Sequence, residues 1–128
     1  MITETQRCSK KNLGSPDTVL DCGHGRMEFA AVEDTSIARV ILEPGWRWTE
    51  HIKPAMNTES CQAAHHQFVI SGRMRVVMDD GSQIDLEPGD FAHIPPGHDA
   101  WVVGNEPFVA VDFAPDMKPY GQFKGECH

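Results

Sequence analysis

The chain has 128 residues, 40% of them hydrophobic, and nineteen acidic against eleven basic side chains give it a formal charge of -8. That length supports one hydrophobic core rather than two, and an acidic chain with no basic run longer than Lys10–Lys11 excludes nucleic acid and anionic membrane as its main partners. No apolar stretch approaches the roughly 20 residues of a membrane span, and "ITETQRCSKKN" after Met1 lacks a signal peptide's apolar region, so a soluble, cytoplasmic protein is expected.

In chain order, residues 1–18 carry Ser, Lys, Asn, Gly and Pro without periodicity and read as an arm packed on the body or on a second subunit. Strand signals follow in "SIARVILEPGWRW", "HQFVISGRMRVVM", "SQIDLEPGDFAHIP", "AWVVG" and "PFVAVDF", each bounded by Gly, Pro, Asn or Asp. Asp80-Gly81 in "MDDGSQ" is a hairpin turn, since both positions tolerate positive φ. Pro-Gly at 44–45, 88–89 and 96–97 has the order of a type II turn. No segment keeps a 3.6-residue period over a dozen residues. The expectation is therefore an all-β, antiparallel sandwich or barrel. Cys8, Cys22, Cys61 and Cys127 form no CxxC pair and no disulfide framework, and are expected as free thiols in a reducing compartment.

The richest stretch is "GWRWTEHIKPAMNTESCQAAHHQFVISG", residues 45–72. Five residues separate Gly45 from His51, and six separate His65 from Gly72. Downstream, in "GDFAHIPPGHDAWVVGN", five residues separate Gly89 from Pro95-Pro96-Gly97. In this order the two patterns resemble the motifs of the cupin superfamily: Gly, five residues, His-x-His, a gap, Glu, six residues and Gly, then Gly, five residues, Pro-x-Gly, two residues and His. The resemblance spans Gly45 to Asn105 and looks like the small single-domain bacterial type. It implies a jelly-roll barrel over about 17–113 within one domain of 1–128, with arms at both ends. It also implies a divalent metal ion in the barrel mouth (Zn, Fe, Mn or Ni), and a homodimer.

The departures from the motif shape the site. Lys53 stands at the second histidine, His65 at the glutamate and Ala100 at the last histidine, while "PAMNTESCQAA" reads as a loop over the mouth. His98 lies two residues before Ala100, and residues two apart on a strand share a face. The metal candidates are therefore His51, His65 and His98, neutral imidazoles suited to borderline metals, against the alternative of three polar residues at a metal-free mouth. Cys61 is either a thiolate ligand folded over the mouth or a small half-buried loop residue. His66 should face away from His65. Gln67 shares the His65 face, where it orients a ligand or lines the barrel. His93 points into the pocket or is a satisfied core group, and Trp48 and Trp101 are core aromatics or pocket walls.

Two functional classes follow. In one, a metal-dependent enzyme, of oxygenase or isomerase type, acts on a small molecule in the barrel mouth. In the other, a sensor or binding module holds a small ligand without chemistry. No carboxylate pair, GxSxG elbow or phosphate-binding glycine loop points elsewhere.

Overall fold

Alternation builds the strands. In "TSIARVIL" the buried residues Ala38, Val40 and Leu42 alternate with half-buried Ile37, Arg39 and Ile41, a period that only an extended chain satisfies. The computed structural model describes residues 7–56 and 58–115. Among these, the strands are β1 (Thr18–Asp21), β2 (Gly25–Val32), β3 (Thr35–Leu42), β4 (His65–Ser71), β5 (Arg73–Met78), β6 (Gln83–Leu86), β7 (Phe91–Ile94), β8 (His98–Val103) and β9 (Phe108–Phe113). A single helical turn, α1 (Trp48–His51), and a 3-10 turn (Lys53–Ala55) interrupt them. No helix among the described residues is long and apolar enough to cross a membrane.

The strands form two antiparallel sheets, ordered β1-β2-β3-β9-β4-β7 and β6-β5-β8. Their inner faces meet in one apolar cluster: Val40, Leu42, Val69, Phe108 and Ala110 come from the first sheet, and Met74, Val76, Leu86, Ala100 and Val102 from the second. This is the expected all-β, antiparallel cupin-type barrel. The expected run "SIARVILEPGWRW" ends at Leu42, because Gly45 turns the chain at φ 90° and Trp46 N–H closes on Glu43 O at 3.0 Å. β1 and β2 carry none of the strand signals read from the sequence. They form because β2 zips along the whole of β3, from Gly25 opposite Leu42 to Val32 opposite Thr35.

Turns fix the register. Gly81 closes the β5–β6 hairpin with φ 89° and an N–H bond to Met78 O at 2.9 Å. Gly72 separates β4 from β5 at φ 78°, and a side chain there would collide with the carbonyl of Pro107 and the backbone of Phe108. Residues 1–6 and 116–128, with Cys127 among them, lie outside the described residues. Cys22 is disulfide-bonded, which corrects the expectation of four free thiols and removes cysteine usage as an argument for a reducing compartment.

Candidate metal centre

Three chain segments bring donor atoms to one end of the barrel core. His65 opens β4 and His98 opens β8. Cys61 precedes β4 in a loop, held by a backbone bridge to β8. Cys61 N–H donates to His98 O at 2.7 Å, and Cys61 O accepts from Gly97 N–H at 2.7 Å and His98 N–H at 3.3 Å. Gly97, at φ 94° after Pro96, makes the turn that allows this. The sulfur of Cys61 and a ring nitrogen of each histidine lie within 4.8 Å of one another, all three residues being buried.

Each imidazole is tied on its far side. His65 Nδ1–H donates to Asp112 Oδ2 at 2.6 Å, and His98 Nδ1–H donates to Pro95 O at 2.8 Å. With Nδ1–H engaged in this way, Nε2 is the nitrogen of each ring left to a metal, which it binds once it has lost any proton it carries. Asp112 is 0% exposed, and its second oxygen accepts from His66 N–H at 3.2 Å. β4–β9 pairing places Asp112 opposite Gln67, two residues along the buried face from His65. Asp112 was missed in the sequence. Its only signal there was a carboxylate at an alternating position of the apolar strand "PFVAVDF".

Electrostatics favour the ligand form of the thiol. Burial opposes a charged Cys61, but hydrogen bonds from His65 and His98 outweigh it and pull the thiol down to about 6. Burial likewise opposes a charged His65, and the Asp112 carboxylate, followed by Cys61, pushes its pKa up to about 9. Without a metal, the arrangement is that of a thiolate beside an imidazolium that rests on a buried carboxylate.

The family model described as a cupin domain matches residues 38–113. The chain belongs to the cupin family. No curated protein matches this cupin. Among solved structures it is similar to a sugar phosphate isomerase from a cupin superfamily of Silicibacter pomeroyi, with 17% identity and a TM-score of 0.56 over 82% of this chain and 74% of that one. KdgF from Halomonas sp. shares 17% identity at a TM-score of 0.51, over 74% of this cupin and 82% of the other chain. The unknown function protein VPA0057 from Vibrio parahaemolyticus shares 10% at 0.51, over 71% and 87% of the two chains. At such identities the likeness shows the fold.

The cupin thus gathers Cys61, His65 and His98, and leaves His51 outside that group. His51 ends α1, where Arg47 N–H donates to its Nδ1 at 3.0 Å and its ring lies 4.2 Å from that of His24. A helical turn, instead of the strand that the motif spacing implied, points the ring that way. His98 and Ala100 share the buried face of β8, as the two-residue offset requires. His66 and His93 are exposed and stacked, with centroids 4.9 Å apart, so His93 faces away from the core. Trp48 lines the cavity beside the donors, whereas Trp101 lies half-buried beneath the Arg47 guanidinium, 4.3 Å from its ring centroid.

The donor set fits a metal ion. A thiolate with two neutral imidazoles is a borderline-to-soft set, and the separations are small enough for side-chain rotation to close it on one ion.

Proposed function

We propose that this cupin holds one divalent metal ion through Cys61, His65 and His98, and that a small molecule is bound or transformed in the cavity beside it. The observation that carries the reading is the convergence of these donors, with Nδ1 of each imidazole already engaged, on the wall of a cavity of about 70 Å³. Two imidazoles and one thiolate leave a divalent ion with net positive charge and room for a further ligand, and such an ion supplies Lewis-acid polarisation of an oxygen. The thiolate favours zinc or iron over manganese, which prefers oxygen ligands.

The protein's own groups have separable tasks. Asp112 orients His65 and raises its basicity as a ligand, Pro95 O orients His98, and the apolar wall excludes bulk water. Among the described residues, no Asp or Glu lines the cavity, and its Cys61, His65 and His98 are the proposed ligands, so a proton-transfer step there would fall to water. That wall favours the second reading, a module that binds its ligand without chemistry.

The test is metal analysis of protein purified without chelator or histidine tag, before and after reloading with zinc. One ion per chain is expected for the parent and for His51→Ala, with most of it lost in Cys61→Ser, His65→Ala and His98→Ala. Full metal content in all three of those variants would end the reading.

We further propose a homodimer through the outer face of β4, β7 and β9. Phe91 is 68% exposed, Ile70 51%, Phe113 43% and Phe68 39%. Phe68 pairs directly with Phe91, whose ring lies 6.0 Å from that of Phe113, so the patch is continuous. These four residues expose on the order of 400 Å² of mostly apolar surface, about half of what one partner buries in a standard interface. A second copy of the same face supplies matching apolar surface.

A further inference from the structure

Two of the three donors are carried by strands, since His65 opens β4 and His98 opens β8. Cys61 lies in the loop before β4, joined to β8 by a single bridge, so its place depends on what else holds that loop. The residue before it, Ser60, is 7% exposed. Its hydroxyl is fixed from both sides: Oγ accepts from Gln62 Nε2 at 3.1 Å and donates to Asp79 Oδ2 at 3.0 Å.

Asp79 stands where this loop meets the turn before His98. It follows Met78, the last residue of β5, which pairs with His98. Its N–H donates to Gly97 O at 2.8 Å, and its carboxylate lies so close to Gly97 that a Cβ there would come within 2.9 Å of Oδ2. One residue therefore touches both the segment that presents Cys61 and the turn that presents His98. The β5–β6 hairpin does not need this carboxylate, because Asp80 Oδ1 already accepts from Ser82 N–H at 2.9 Å and Ser82 Oγ at 2.6 Å. Asp79 is neither one of the three donors nor part of the cavity wall.

We propose that Asp79 is a positioning residue for the metal centre: through Ser60 it fixes the Cys61 loop against the start of β8, and so sets the thiol at ligating distance from the two imidazoles. This rests on the reading of Cys61, His65 and His98 as a metal centre, but the hold on the loop can be read without metal.

Two measurements on the parent, Asp79→Ala, Ser60→Ala, their double variant and Asp79→Asn test it. One is zinc affinity by chelator competition, with the sulfur-to-metal charge-transfer band of the cobalt-loaded protein reporting the Cys61 bond. The other is the rate at which iodoacetamide alkylates Cys61 in the metal-free protein, read by peptide mass spectrometry. Loss of a charge-assisted hydrogen bond to a buried hydroxyl should weaken zinc binding about tenfold in each single variant, weaken the cobalt band and speed alkylation about tenfold. Both substitutions break the same bond, so the double variant should fall no more than about twofold below the weaker single one. Asp79→Asn keeps an acceptor for Ser60 O–H and should return zinc affinity to within about threefold of the parent. Additive losses in the double variant, or an asparagine variant as impaired as the alanine one, would overturn the proposal. A parent that binds no zinc while the variants alkylate faster would sink only the metal reading. A zinc-binding parent whose single variants stay within about twofold of it in both measurements would sink only this one.

Discussion

Replacing Asp112 by asparagine isolates the contribution of the carboxylate behind His65. The two side chains are nearly isosteric, so cavity and packing effects are small. The carboxylate of Asp112 now accepts two hydrogen bonds, from His65 Nδ1 at 2.6 Å and from His66 N–H at 3.2 Å. An amide has one acceptor oxygen, so either one of these donors loses its partner in a place that is 0% exposed, or His65 takes the other tautomer and accepts from the amide at Nδ1, which puts a proton on the Nε2 that a metal needs. An unpaired buried donor costs about 1–3 kcal/mol, which lowers the melting temperature of a domain this size by roughly 4–15 °C. His65 also loses the anion that holds its tautomer and raises its basicity, and such outer partners are worth about 10- to 100-fold in metal affinity. Zinc affinity is measured by competition with a chromophoric chelator, and stability by thermal melts followed by circular dichroism. Zinc affinity within about twofold of the parent, alongside a lowered melting temperature, would confine Asp112 to a structural part and refute the orienting argument.

Three further outcomes are expected. In the metal-free protein the Cys61 thiolate, followed by absorbance near 240 nm as the difference from Cys61→Ser, should appear around pH 6 as pH rises, and His65→Ala and His98→Ala should each move it upward; a midpoint unchanged by both variants would remove the imidazoles as its cause. Gly72→Ala forces a side chain against Pro107 and Phe108 at a positive φ, and should cost about 2–4 kcal/mol in denaturant unfolding; a midpoint equal to the parent's would show that β4 and β5 can shift freely. Phe91→Glu places a charge in the exposed apolar face, and light scattering at micromolar concentration should change from dimer to monomer mass; a monomeric parent would rule the interface out.

Much of the fold was legible because its causes are local. Alternation in "RVIL" and "HQFV", the Asp80-Gly81 turn and the Pro-Gly steps each constrain the backbone within a few residues, and the strands and hairpin follow from them. β1 and β2 were not legible, because what makes "GRMEFAAV" a strand is its partner β3.

The candidate site divides the same way. The sequence by itself determined that His65 lies on the buried face of a strand with Gln67, that His66 faces away, and that His98 can share a face with Ala100, because a period of two depends only on chain geometry. Only the tertiary structure decided which donors meet. Cys61 reaches the group through backbone bonds to His98, thirty-seven positions along the chain, and Asp112 reaches His65 through the β4–β9 ladder. His51, which the motif count placed with them, is rotated towards His24 by a single helical turn. Convergence depends on sheet order, loop path and the rotation of each side chain, and these are set by packing and hydrogen bonds between segments that are distant in sequence.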